Sequence, residues 1–495
     1  MNRRFQVDIF LTIILLLSLI IRVVTALKFP NMFWADEIFQ TQEPAHRLAF
    51  GHGIVTWEFR DGIRSWVFPG ILAVVMGLTA WLGEGSTGYV TGINVFLSLI
   101  SLSLVVIAFL WGNNIGGRIT AVICASISMI WFELIYFSPK AFTEVVATHF
   151  LLPGLYLSYQ PKYSPSRQRL FLAGCLLGIA LALRIHLLPC IALALVYICK
   201  TKWRYWLPML AGITGVFLIF GTVDAFTWTY PFQSFWLNIW VNLVEGRSKL
   251  YGVSPWYEYV VFLLKSWSWL FFPMMILVVI GSRRSPILGW LAFIIILSHS
   301  LLAHKEYRFI YPAIPMLMIL AGLGTAELVI NWLPKWLSLR KIAIAVLLSF
   351  CLWTSSSVAL ASRFNLYAPL NFSTFGTNLQ ATHWTAVSEN LLAFQSLSHD
   401  KNVCGLGLWG VNWALSGGYT YLHHDVPIFP VEKDGDFEQL NTGFNYVIAN
   451  RPLPPPYQNY QLQQCWQGTC VYQRPGACDM IPNRDINYVL KQSGN

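Results

Sequence analysis

The chain has 495 residues, is 56% hydrophobic and only 11% charged, and carries 22 tryptophans. These figures exclude a water-soluble enzyme built around one large core and point to a polytopic membrane protein. The formal net charge of +10 does not indicate nucleic-acid binding, because much of it lies in short loops between apolar runs, where orientation signals fall.

The first apolar run, 9–27, follows Arg3 and Arg4. Val24-Thr25-Ala26 has the small-residue look of a weak cleavage site, but Arg22 interrupts the run and further runs follow, so a signal anchor is expected. A loop from 28 to 88 comes next, with Trp34-Ala35-Asp36-Glu37, Thr56-Trp57-Glu58 and Arg64-Ser65 in order. Its apolar stretch 66–83 is long enough to span, yet counting it would invert every later loop. An interfacial helix that does not cross is therefore expected.

Further runs lie at 89–112, 119–137, 142–158, 170–183, 187–199, 207–225, 258–280, 286–303, 309–327 and 342–359, which with the first makes eleven. Basic connectors stand at Arg118, at Lys162, Arg167 and Arg169, at Lys200, Lys202 and Arg204, at Arg283 and Arg284, and at Lys335, Arg340 and Lys341. Positive loops mark the cytoplasmic side. The reading is an N-terminus inside and a C-terminal domain outside.

That orientation gives the outer face a distinctive set of polar groups. Adjacent carboxylates Asp36 and Glu37 follow the first span, a pairing that raises pKa by repulsion and desolvation and suits a general base, worth about 10²–10⁴ in rate. A solvated helix cap explains such a pair about as often. Glu144 follows Pro139-Lys140, and Arg184 and His186 flank the next outer turn; Arg184 either reaches phosphate or snorkels to the interface. Tyr251 and Trp256 suit sugar stacking, although aromatic belts are common at membrane surfaces.

His304-Lys305-Glu306-Tyr307-Arg308 is wedged between two spans. At mid-membrane each such charge costs about 2.5–3.5 kcal/mol, whereas at a helix mouth the cations suit a lipid phosphate and Glu306 orients one of them. An ion-paired structural turn is the plainer alternative. There is no Gly-rich phosphate loop and no zinc-spaced His/Cys set. No cofactor is required, and the acidic pair leaves a divalent metal open.

The motifs in combination are specific. Asp36-Glu37, Thr56-Trp57-Glu58, Arg64-Ser65, Asp224 ahead of Leu250–Tyr257, and His304–Pro312 with its His-Lys-Glu-x-Arg-Phe block resemble glycosyltransferase family 22 over residues 1–330. Those are the lipid-phosphate-mannose mannosyltransferases of GPI-anchor and N-glycan assembly and their bacterial relatives, of the GT-C class. The resemblance implies an α-helical polytopic membrane domain (1–360) and inverting transfer of a hexose, mannose, from a polyprenyl-phosphate donor to a hydroxyl of a glycan or glycolipid acceptor. It places the reaction outside the cytoplasm of a bacterial plasma membrane. It assigns Asp36 as base with Glu37 in support; the charge reading sets His304, Lys305, Glu306 and Arg308 on the donor phosphate, and Trp57, Arg64, Glu144, Arg184, Tyr251 and Trp256 are the expected substrate contacts. Where family members often show His-Pro-Asp-Glu, this chain has Trp34-Ala35-Asp36-Glu37, so no preceding His takes part.

Residues 361–495 have globular composition and read as a small extracytoplasmic α/β domain, with strands near 402–408 and 444–448 and a helix near 385–396. Its four cysteines, Cys404, Cys465, Cys470 and Cys478, permit two disulfides in three pairings. His423-His424-Asp425 reads as a polar turn. A transporter of lipid-linked sugars is the competing reading; Lys265 within a span supports it, while no inverted repeat is visible.

Overall fold

The computed structural model describes residues 8–159, 165–331, 339–366, 382–454 and 459–493. Arg3, Arg4, Lys162 and Lys335 lie outside them. The chain divides into two compact units, one of residues 1–25 and 97–366 and one of residues 26–96 and 367–495.

The first unit is helical. Among the described residues of the whole chain, six helices are long and apolar enough to cross a membrane: Ile9–Lys28, Thr87–Ile130, Trp203–Thr227, Glu258–Arg284, Ala313–Ile330 and Ala343–Ala361. The expected eleven spans all fall on helices, but several are too short to qualify, such as Thr143–Ser158 with 16 residues and Pro286–Ser300 with 15. At 1.5 Å per residue these reach about 24 Å, less than the ~30 Å hydrocarbon core. The 44-residue stretch holds two of the expected spans, broken at Gly117, whose φ of 79° and ψ of −168° no other residue adopts at ease.

Two features lock this unit. Arg22, which interrupts the first apolar run, is fully buried and donates to the Ser18 hydroxyl and to the Ser128 carbonyl at 3.2 Å. A cation inside a helix bundle is tolerated because backbone and hydroxyl oxygens replace its water. Small residues let helices touch elsewhere: a Cβ on Gly281 would collide with the Leu320 carbonyl, and one on Gly324 with that of Leu277. Close approach through small residues is the usual means of helix association where apolar burial gives no preference.

The second unit joins the loop after the first span to the C-terminal residues. The apolar stretch expected to lie in the interface forms a helix only from Val67 to Thr79, followed by a turn to Leu82, about 20 Å of helix. Val74, Leu78 and Trp81 are exposed on it. The sheet runs β2-β1-β3-β5-β4, with β1 Leu406–Trp409, β2 Ile428–Val431, β3 Tyr446–Ala449, β4 Gln461–Trp466 and β5 Thr469–Gln473. β1 pairs in parallel with both β2 (Leu406 opposite Ile428) and β3 (Leu406 opposite Tyr446), and β5 is antiparallel to β3 and β4. The parallel strands β1 and β3 are buried at every position, as continuous apolar runs require. Phe429, Phe437, Phe444 and Val447 fill the core beneath them. The helix expected near 385–396 runs Ser388–Leu397. The cysteines pair as Cys404–Cys478 and Cys465–Cys470, one of the three pairings left open.

Glu43 holds this unit together. It is wholly buried, and its carboxylate accepts from the Ile54 amide at 2.8 Å, the Tyr419 and Thr420 amides at 2.9 Å each, and the Thr420 hydroxyl at 2.6 Å. Burial raises its pKa, and these donors restrain the rise. Replacing it by Gln puts an amide donor among donors, and leaving such groups unmatched costs about 2 kcal/mol. Glu43→Gln is therefore expected to lower the thermal midpoint of the purified protein measurably, and an unchanged midpoint would refute the clamp.

Candidate functional site

In the first unit, three polar segments converge. Glu144 opens the helix Thr143–Ser158, and Arg184 follows the helix Arg167–Leu183 where the backbone turns extended (φ −145°). The chain leaves the helix Pro286–Ser300, and Tyr307 to Ile310 form a single 3-10 turn. Arg308, 3% exposed, sets its Nε 2.7 Å and its NH2 3.1 Å from the two oxygens of Glu306. Its NH1 lies 3.5 Å from Glu144, which also pairs closely with Arg184. Phe309 lies between the two guanidiniums, 5.4 Å from that of Arg184 and 5.1 Å from that of Arg308.

His304 completes the network. Its Nε2 is 3.0 Å from Glu306 and its Nδ1 3.0 Å from the Gly252 carbonyl. Both partners are acceptors, which matches an imidazolium. Burial alone lowers its pKa, but the hydrogen bond and charge of Glu306 outweigh that and raise it. Glu306 in turn, although burial favours its neutral form, is held below the usual carboxylate range by Arg308 and His304. Two carboxylates thus face two guanidiniums and a charge-stabilised imidazole, leaving one positive charge over.

A raised imidazole pKa means that the His304–Glu306 pair adds stability in full below the unfolded value of 6.5 and loses it as pH rises through the higher folded value. The stability difference between wild type and His304→Gln is expected to shrink from about pH 6 to about pH 8, as read by thermal unfolding. A difference that grows over that range contradicts the pairing.

Lys305 lies apart from its neighbours, with its ammonium on the carbonyls of Ser254, at 3.1 Å, and Leu302. Tyr251 is exposed, with its ring 6.4 Å from that of His304, and Trp256, 72% exposed, packs edge-on against Tyr257.

The second unit holds the acidic pair, and its two members differ. Glu37 is buried and accepts from the Phe33 amide at 3.2 Å, closing the turn that precedes it. Asp36 is half-buried. Facing it is a residue that the motif reading named without giving a role. Glu58 is buried beside Trp57, accepts from Gln40 Nε2 at 2.8 Å, and has its pKa raised by burial and then by the Asp36 charge, with Arg64 opposing. The carboxylate that feels the charge of Asp36 is thus that of Glu58, twenty-two residues on, which adjacent-residue reasoning does not reach. Its sequence signal was the Thr56-Trp57-Glu58 motif itself.

A polar cleft in the same unit, of about 380 Å³, is lined by Arg47, His52, Tyr419, Asp425, Asp485 and Asn487 among others. His423 ends the helix Gly418–Leu422 in the left-handed region, the expected turn. Among the described residues, no group of three His, Cys, Asp or Glu side chains is placed to hold a metal ion.

Residues 13–393 match the family model described as the Alg9-like mannosyltransferase family. The chain is 29% identical to GPI mannosyltransferase 3 of Yarrowia lipolytica over 66% of its own length and 65% of that protein's. It is 25% identical to GPI alpha-1,2-mannosyltransferase 3 of Mus musculus, over 68% and 61%. The matched region thus spans somewhat less than two thirds of these relatives. Among solved structures, the fold resembles ArnT from Cupriavidus metallidurans bound to undecaprenyl phosphate, with a TM-score of 0.58 at 12% identity, covering 95% of this chain and 99% of that one. It also resembles the Archaeoglobus fulgidus oligosaccharyltransferase, with a TM-score of 0.52 at 12% identity, covering 94% and 73%. These likenesses are of fold alone, the GT-C fold. By its motifs and by the profile match over residues 13–393, the chain belongs to the Alg9-like mannosyltransferase family.

Proposed function

We propose that this protein transfers mannose, with inversion, from a polyprenyl-phosphate carrier to a hydroxyl of a glycan or glycolipid on the extracytoplasmic face of a bacterial plasma membrane. The observation that carries the reading is the buried network of Glu144, Arg184, His304, Glu306 and Arg308 with its surplus positive charge. A leaving phosphate gains charge as the sugar bond breaks, so a fixed cationic group stabilises the transition state more than the ground state. Arg184, Arg308 and His304 take that role. Lys305, turned to carbonyl oxygens, shapes the turn.

Asp36 is the base that draws the proton from the acceptor hydroxyl, with Glu58 beside it and Glu37 holding the turn. Trp57 and Arg64 shape this acidic site, and Tyr251, next to His304, is the better placed of the two aromatics to meet a sugar. The cleft of Arg47, His52, Asp425 and Asp485 is the acceptor surface in this reading, since planar polar side chains suit vicinal hydroxyls. The two disulfides agree with an oxidising compartment, and a reporter fused after Asn495 that proves cytoplasmic refutes the orientation.

The test is transfer by the purified protein in lipid nanodiscs, with a panel of polyprenyl-phosphate sugars and radiolabelled hexose. Incorporation from the mannose donor alone is the expected result; transfer from none of them sinks the reading. Lys265, on which the transporter alternative rests, is exposed on its helix, and lipid-sugar translocation without transfer is the result that favours that alternative.

A further inference from the structure

Glu133 is a buried acid outside the network described above. It opens the short helix Phe132–Tyr136, is 0% exposed, and lies in a stretch the sequence marks as a membrane span. Its Oε2 accepts from the indole N–H of Trp131 at 2.8 Å and of Trp267 at 3.1 Å. Its Oε1 accepts from the hydroxyls of Ser266 and Tyr307. Indoles only donate, so the site is shaped for a group that accepts on both oxygens, and among the described residues no cation bonds to it.

Each donor belongs to a place where the chain changes direction. Trp131 stands at the break between the helix ending at Ile130 and the helix Phe132–Tyr136. Ser266 and Trp267 end the helix Glu258–Trp267, after which Ser268 turns left-handed (φ 46°). Tyr307 begins the 3-10 turn that carries Arg308. Trp131, Trp267 and Tyr307 are all fully buried, so none has water as an alternative partner.

We infer that Glu133 is a positioning residue: by fixing Tyr307 it sets the register of the 304–308 turn, and so the places of Glu306 and Arg308 on either side. Tyr307 is anchored to Glu133, while its two neighbours form an ion pair with each other and Arg308 reaches Glu144. Freeing the ring lets the turn rotate, and Arg308 then no longer meets Glu306 and Glu144 together. Displacement of about 1 Å at such a group is enough to cost up to ~10²-fold. The consequence for phosphate rests on the donor-phosphate reading; the consequence for the turn does not.

The experiment uses the full chain in nanodiscs with two readouts. Hydrogen exchange of peptides covering 302–312 reports the turn itself, and the dissociation constant of a polyprenyl phosphate reports the anion site. Glu133→Ala and Tyr307→Phe are each expected to speed exchange in that peptide and to weaken binding about tenfold. The double variant should be no worse than the poorer single one, since both cut one link. Glu133→Gln, which keeps an oxygen acceptor, should fall between wild type and alanine. As a control for general destabilisation, Leu170→Ala removes a buried side chain about 20 Å along its helix from Arg184 and should lower the melting temperature without changing either readout. Unchanged exchange at 302–312 in the Glu133 and Tyr307 variants overturns the inference, as do fully additive losses in the double variant. Failure of wild type to bind the lipid phosphate overturns the donor reading alone, leaving the exchange data to decide the positioning role. If the alanine variant does not fold, Glu133→Gln and Tyr307→Phe, which preserve volume, decide the question.

Discussion

Arg308→Met is expected to destabilise the protein by about 1.5–3 kcal/mol, the cost of unmaking charged hydrogen bonds to a buried carboxylate. Arg308 is 3% exposed, takes both oxygens of Glu306 and reaches Glu144, and its guanidinium lies 4.7 Å from the centre of the Phe142 ring. Methionine fills much of the volume but leaves Glu306 with His304 alone and Glu144 with Arg184 alone. Arg308→Lys keeps the charge yet loses the two-pronged geometry, so a smaller loss is expected. Combining Arg308→Met with Glu306→Gln should recover part of the stability, because the carboxylate that lost its two guanidinium hydrogen bonds is no longer charged. Chemical or thermal unfolding of the three variants measures this. A loss under about 1 kcal/mol for Arg308→Met would mean the pair behaves as an exposed one does, contrary to its burial.

Asp36→Asn is expected to lower kcat by about 10²–10⁴, the usual worth of a positioned general base, with little change in donor KM. The amide keeps the size, and at this half-buried position water can serve the nitrogen that replaces one acceptor oxygen, so little change in folding stability is expected. Glu37→Gln should act mainly on stability, since Glu37 is buried against the Phe33 amide. Glu58→Gln removes the carboxylate that faces Asp36 and should shift the pH–rate profile rather than abolish turnover. Transfer assays on the three variants, with unfolding temperatures alongside, separate these roles. Full activity of Asp36→Asn would refute the base assignment, and an equal kcat loss in Glu37→Gln would mean the two acids act as a unit.

The contrast between Asp36 and Glu37 shows where sequence reasoning stops. Adjacency made them a pair, but successive residues at the start of a turn point in different directions. One faces inward to a backbone amide, and the other remains half-exposed. The acid that feels the charge of Asp36 is Glu58, which only the fold of the loop brings near. Glu133 had a legible signal, since an acid within an apolar run is costly unless it has a purpose, but its donors come from three separated segments that no spacing rule connects.

Local composition carries the apolar runs of membrane length, the positive loops from which an orientation is expected, two turn-bounded strands, and a motif set specific enough to indicate the family. Those properties depend on neighbours along the chain and on the solvent each segment must enter. Pairing is legible only in the fold: which cysteines join, which carboxylate Arg308 holds, and that Glu43 binds a loop to residues more than 370 positions away. A buried charge must find its partner wherever the fold brings one, and that distance in space is not written in the distance along the chain.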